Sequence, residues 1–140
     1  MSSVLKIEYS LDASALLAVM LNEPGHEIVR EVIDRACIHA VNVAEVVGKL
    51  MREGIPRAET EQMIDELNLT VDQELSTDQA MFVGELLSKT RKQGLSLGDC
   101  LCLAIATWHR RIAVTADQQW QALHGHHTTA RGQIRVQVIR

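Results

Sequence analysis

Short apolar runs that read as strands alternate along this chain with longer stretches whose apolar positions recur at helical spacing. Residues 4–11 form the first run and end at Asp12. Residues 13–21 then read as an apolar helix, closed by the Glu23-Pro24-Gly25 turn. A second helix is expected over residues 26–35, with Ile28, Val29, Val32 and Ile33 on one side, and a second strand over 37–41. Val43, Val46, Val47, Leu50 and Met51 fall at i, i+3, i+4, i+7 and i+8, the template of a one-faced helix. Gly54 stops it, and Pro56 sits near the start of another helix carrying Met63, Ile64 and Leu67. Residues 69–72 are a third strand. Ser76 opens a helix through about Thr90, with Gln79 placed for a capping box. Residues 96–110 form a helix that is apolar all round between Cys100 and Ala106, so burial between other elements is expected. Residues 112–115 are a fourth strand, 118–123 a short helix, and 134–139 a last strand with alternating Arg135 and Gln137.

Strands that alternate with helices predict an α/β fold, a mainly parallel sheet covered on both faces. Ligands of such sheets bind beyond the carboxyl ends of the strands, so the residues that follow each strand are where chemistry is sought. No repeat, low-complexity tract or linker interrupts the 140 residues, and the whole span 1–140 reads as one domain.

Composition narrows the function classes. The longest apolar runs, residues 15–21 and 100–106, fall far short of the roughly 18–20 residues of a membrane span, and no basic-then-apolar leader opens the chain. A cytoplasmic, membrane-free protein is expected. Cys37, Cys100 and Cys102 lack paired spacing, and the last two point to different sides of one helix, which suits buried thiols rather than a shared metal. Net charge is −4, against the basic surface usual in nucleic-acid binders, unless carboxylates gathered around a cation invert the local sign. Four aromatics, Tyr9, Phe82, Trp108 and Trp120, are too few for a base-stacking platform. Met20, Met51, Met63 and Met81 read as core fillers, and His124-Gly125-His126-His127 as a solvated loop rather than a metal site. Lys89, Arg91, Lys92, Arg110 and Arg111, like Arg131, Arg135 and Arg140, are either RNA-steering charge or ordinary solvated surface.

Four acids stand out by position. Asp12 follows strand one, Glu45 lies three residues past Asn42 after strand two, Asp117 lies two past Thr115 after strand four, and Asp99 lies in the first turn of the buried helix. Each also fits a capping role: Asp12 and Asp117 as N-caps, Asn42-Val43-Ala44-Glu45 and Ser96-Leu97-Gly98-Asp99 as capping boxes. Four like charges at one sheet edge are costly without a counter-ion, and hard divalent cations that prefer oxygen would offset that cost.

The segments Ser10-Leu11-Asp12-Ala13-Ser14-Ala15-Leu16-Leu17, Val41-Asn42-Val43-Ala44-Glu45-Val46, Leu95-Ser96-Leu97-Gly98-Asp99-Cys100-Leu101-Cys102-Leu103-Ala104 and Val114-Thr115-Ala116-Asp117 resemble PIN domains, and more narrowly the VapC toxins of bacterial toxin–antitoxin pairs. The resemblance implies a sandwich of helices around a five-stranded parallel sheet. It also implies a Mg²⁺- or Mn²⁺-dependent endoribonuclease acting on RNA, a homodimer, and a cognate antitoxin whose basic residue enters the acidic pocket. Asp12, Glu45, Asp99 and Asp117 match the family's acidic positions, and Ser14 and Thr115 its hydroxyls beside the first and fourth. Many of these toxins carry another Asp two residues after the fourth acid, where this chain has Gln119.

On that reading Asp12 and Asp99 are the principal metal ligands, Asp117 and Glu45 ligate or orient water, and Ser14 and Thr115 hydrogen-bond carboxylates or water. Two other readings compete. A Mg²⁺-dependent phosphotransfer or phosphatase domain needs paired acids after the first strand, where Asp12-Ala13-Ser14 supplies one, and a P-loop is absent. A catalytically inactive PIN-like RNA-binding module would be marked by loss of acids, and all four are present.

Overall fold

The computed structural model describes residues 6–128 and 131–140. In chain order it comprises β1 (Tyr9–Leu11), α1 (Ala13–Leu21), α2 (His26–Val32), β2 (Ala36–His39), α3 (Ala40–Arg52), α4 (Arg57–Leu67), β3 (Thr70–Asp72), α5 (Thr77–Lys89), α6 (Leu97–Trp108), β4 (Ile112–Thr115), β5 (His127–Thr128), β6 (Gly132–Gln133) and β7 (Val136–Val138). Five strands form a wholly parallel sheet in the order β3-β2-β1-β4-β7. The expected α/β class and its five-stranded parallel sheet are therefore observed.

Two apolar clusters occupy the two faces of the sheet, making three layers. On one face Leu11, Ile38 and Val114 pack with Leu16 of α1, Val29 of α2, and Val46 and Leu50 of α3. On the other, Ala113 and Val136 pack with Phe82 and Leu86 of α5 and with α6. Residues 100–107 of α6 are all buried, as its all-round apolar sequence predicts. Helices α5 and α6 run antiparallel, since the Phe82 and Trp108 rings meet at one end, 6.1 Å apart, and Thr90 Oγ1 meets Cys100 Sγ at the other, 3.3 Å apart.

Several boundaries differ from the sequence reading, for local reasons. The strand expected over residues 4–11 is regular only from Tyr9, although ladder-like bonds continue at Glu8, whose amide donates to Arg35 O at 2.8 Å and whose carbonyl accepts from Ile112 N at 2.9 Å. Residues 4 and 5 lie outside the described residues. Helix α2 tightens into a 3₁₀ turn at Ile33–Arg35. The second strand ends at His39, not at residue 41, because His39 caps α3: its Nδ1 accepts from Val41 N at 3.1 Å while its other ring nitrogen bonds Glu74 O at 2.9 Å. Asn42 therefore sits inside α3 rather than capping it, and Glu45 is in the second turn. The expected capping-box role of Asn42 and Glu45 does not occur. Met51 and Met81 are solvent-facing, 53% and 63% exposed, and are not core fillers. The histidine-rich segment expected as a loop leads into the antiparallel pair of β5 and β6, with His124 Nδ1 accepting from Val136 N at 2.9 Å.

Candidate active site

The sheet order places the site. From β1 the chain first adds β2 and β3 on one side, then returns with β4 on the other, so the topological switch point lies between β1 and β4. Ligands of open parallel sheets bind beyond the carboxyl ends at such a point. Asp12, directly after β1, stands there and is tied to β4 by its amide, which donates to Val114 O at 3.0 Å.

Asp12 is 4% exposed, and its carboxylate has a distinct partner set on each oxygen. Oδ1 accepts from Ala15 N at 2.8 Å, the N-cap bond of α1, and from Ser14 Oγ at 2.7 Å. Oδ2 accepts from Thr115 Oγ1 at 2.6 Å, across the strand boundary. The two hydroxyls are themselves held by backbone donors, Ser14 Oγ by Ala116 N at 2.9 Å and Thr115 Oγ1 by Asp117 N at 3.0 Å. Capping thus uses one oxygen of Asp12 and leaves the other to β4. Burial pushes its pKa up from 3.8 to about 6; the bonds from Thr115, Ser14 and Ala15 oppose that rise, and the charge of Asp99 adds to it. A site that raises the energy of its own carboxylate charge is one suited to a cation.

Asp99 closes a capping box at the start of α6: Asp99 N donates to Ser96 Oγ at 3.2 Å, and Ser96 N donates to Asp99 Oδ2 at 2.9 Å. Its charge also adds, as the smallest of the causes, to the upward push on the Asp12 pKa, so capping does not take it out of reach of Asp12. Glu45 accepts from Asn42 Nδ2 at 2.7 Å, and its carboxylate lies against the backbone of α6: a Cβ at Gly98 would come within 2.6–2.7 Å of it. The Cys102 thiol lies in the same neighbourhood. Its pKa is raised well above the ordinary value by burial first, and then by the charges of Asp12, Cys37, Asp99 and Glu45. Asp117 is exposed, and its Oδ1 caps the following 3₁₀ turn by accepting from Gln119 N at 2.9 Å. Its backbone amide, not its carboxylate, connects it to Asp12 through the Thr115 hydroxyl.

Among the described residues, no three acidic, histidine or cysteine side chains converge tightly enough to form a closed cation cage. Mg²⁺ keeps most of its waters and is commonly bound through one or two carboxylates, so it does not require such a cage. The donor set is hard oxygen, and one buried acceptor nearby, Asn42 Oδ1, has no partner among the described residues. The acidic group therefore fits a divalent cation. A cleft of about 250 Å³ between α3 and α4, lined by Val43, Val47, Ile64 and Val71, contains none of the four acids.

The sequence model of the PIN domain matches residues 9–125, most of the chain and a span that includes all four acids. The chain belongs to the PIN domain family. No curated protein matches the sequence. Among solved structures, VapBC from Salmonella typhimurium bound to DNA aligns at a TM-score of 0.69 with 18% identity, covering 97% of this chain and 99% of that one. VapBC-1 from nontypeable Haemophilus influenzae aligns at 0.62 with 16% identity, over 93% and 96%. PAE2754 from Pyrobaculum aerophilum aligns at 0.57 with 19% identity, over 86% and 87%. At these identities the likeness is one of fold.

In this PIN domain the basic residues divide between the two ends of the sheet. Lys89 ends α5, and Arg91 and Lys92 lie in the turn between α5 and α6, so they stand at the end where Asp99 begins its helix. Arg110, Arg111 and Arg135 precede β4 and β7 and stand at the opposite edge. Asn42 and Gly98 are the site neighbours that the sequence reading assigned elsewhere. The available signal was ambiguous: an Asn among the apolar positions of an amphipathic helix needs a buried partner, but an Asn three residues before a Glu reads equally well as a cap.

Proposed function

We propose that this chain is a Mg²⁺- or Mn²⁺-dependent endoribonuclease and the toxin of a toxin–antitoxin pair. The observation that carries the reading is the buried Asp12 carboxylate at the switch point of a PIN fold, raised in pKa by burial and by Asp99. The VapBC neighbours support a toxin with an antitoxin partner. We take residues 1–140 as one domain, acting in the cytoplasm as a homodimer until a cognate antitoxin presents a cation to the acidic group.

Asp12 and Asp99 are the principal ligands, with Glu45 and Asp117 as further ligands or as acceptors that orient water. Ser14 and Thr115 fix Asp12 by one hydrogen bond to each of its oxygens, so its rotamer is set before any cation arrives. When bound, a divalent cation lowers the pKa of water and offsets charge gathering on phosphate oxygens. Lys89, Arg91 and Lys92 draw the phosphate backbone toward the same end of the sheet. Gln119 removes one carboxylate that many VapC toxins have, which reduces the ligands available to a second cation.

Attack by water, rather than by the ribose 2′-hydroxyl, gives a direct test. Purified protein with Mn²⁺ should cut single-stranded RNA to leave no 2′,3′-cyclic phosphate, and should still cut where the 2′-oxygen is methylated. Cyclic phosphate ends, or undiminished cleavage in excess EDTA, would overturn the assignment.

A further inference from the structure

Asn42 is 1% exposed, lies on the inner side of α3, and has no role in the metal chemistry assigned to the four acids. Its Nδ2 donates to two acceptors at once, Glu45 Oε1 at 2.7 Å and Gly98 O at 3.1 Å. Both partners are acceptors only, so the amide must turn its NH₂ toward them, and the reverse orientation would set three oxygens together. This fixes the carbonyl, Oδ1, on the other side, where it is buried and has no partner among the described residues. Gly98 completes the arrangement, since its missing Cβ is what lets the Glu45 carboxylate lie on the first turn of α6, one residue from Asp99.

We propose that Asn42 is a positioning residue: it clamps the Glu45 carboxylate to the start of α6 so that Glu45 and Asp99 serve one divalent cation. The inference rests on the nuclease reading and adds a residue to it. Side chains that orient a metal ligand from behind contribute to affinity without touching the cation, and losing one typically weakens binding about 10–100-fold. A buried amide carbonyl without a partner is also costly, and the fold bears that cost while holding Nδ2 against Glu45 and Gly98.

The test is a double-mutant cycle read by Mn²⁺ affinity, measured on the full chain by calorimetry or by the free-Mn²⁺ electron paramagnetic resonance signal. Asn42→Ala should raise Kd about tenfold in the wild-type background. In a Glu45→Gln background it should change Kd little, because the carboxylate it acts through is gone. Gly98→Ala should weaken Mn²⁺ as Glu45→Gln does, although alanine ordinarily favours a helix. A metal-free arm guards against variants that merely unfold. In EDTA, Asn42→Asp should melt lower than Asn42→Ala, since it faces Glu45 with a second carboxylate, and adding Glu45→Gln should recover the loss. Unchanged Mn²⁺ affinity in Asn42→Ala, or an equal loss with and without Glu45, would overturn the positioning role alone. A wild-type chain that binds no Mn²⁺ would overturn the nuclease reading and this inference with it.

Discussion

Asp12 meets two opposing demands. It must stay ionised to hold a cation, yet it is buried and shares its surroundings with Asp99. The direction of the pKa change fixes the pH dependence. An acid whose folded pKa is raised binds its proton more tightly in the native state, so native stability falls as pH climbs from about 4 through about 6. A rise from 3.8 to about 6 corresponds to up to about 3 kcal/mol above that window. Asp12→Asn should therefore melt higher than wild type at pH 7.5 in EDTA, with the advantage fading toward pH 4. A variant that melts lower at pH 7.5 would show that the charge is already compensated. Asp99→Asn tests the coupling from the other side. Asn keeps an acceptor for Ser96 N, so the cap survives, while the charge acting on Asp12 is removed. The Asp12 midpoint, followed by carboxyl ¹³C NMR without metal, should move down, and an unmoved midpoint would return Asp99 to a purely capping role. At this scale Asp12 was legible because it stands directly after a strand end, and Ser14 and Thr115 because they match the hydroxyls of the family the sequence resembles. Asn42 was not, because an Asn three residues before a Glu reads equally well as a cap, and only the capping geometry of His39 excludes that.

Element by element, periodicity located nearly everything, and boundaries suffered where a few hydrogen bonds decide them. The amphipathic spacing of residues 43–51 placed α3, but not its start at Ala40, which depends on a histidine held by Glu74 from another segment. The all-round apolar run of α6 announced its burial. Its N-terminus carries both Ser96 and Asp99, so its capping box bears on the site as well as on the helix. Ser96→Ala should cost about 1 kcal/mol in denaturant unfolding, within the usual range for losing a cap hydroxyl, and should also weaken the Mn²⁺-induced rise in Tm because Asp99 is no longer fixed. An unaltered Mn²⁺ response would separate the cap from the site. Gly25 marks a different junction: at φ +93 it precedes α2, and a Cβ there would come within 2.4 Å of Ile139 O beyond the end of β7. Gly25→Ala should destabilise by more than the roughly 1 kcal/mol of left-handed strain alone, read from the same unfolding curves.

For the whole molecule, hydrophobic patterning was enough for the α/β class but could not order the strands, because a buried parallel strand reads the same whichever neighbour it has. The order β3-β2-β1-β4-β7 is what brings the ends of β1 and β4 together, so that Asp12 meets Thr115 across the strand boundary. It also separates the cations. A net charge of −4 describes neither end: Lys89, Arg91 and Lys92 accompany the acids, while Arg111 pairs with Asp72, 3.7 Å away, beside Cys37. Lys89→Ala with Lys92→Ala should weaken RNA binding and flatten its salt dependence, by a slope of about 1 for each phosphate no longer neutralised. Arg110→Ala, at the far edge, should do neither, and equal effects from both ends would mean that RNA is held by diffuse charge.

All of this turns on Asp12 holding a divalent cation that cleavage of RNA requires. Single-turnover cleavage of a labelled single-stranded RNA by wild type and Asp12→Asn decides it, each measured in Mn²⁺, after EDTA, and after Mn²⁺ is restored. Wild-type cleavage should stop in EDTA and return with Mn²⁺, and the Asp12→Asn protein should be folded and inactive throughout. Cleavage by Asp12→Asn at the wild-type rate in Mn²⁺ would contradict the assignment of Asp12 as the essential ligand.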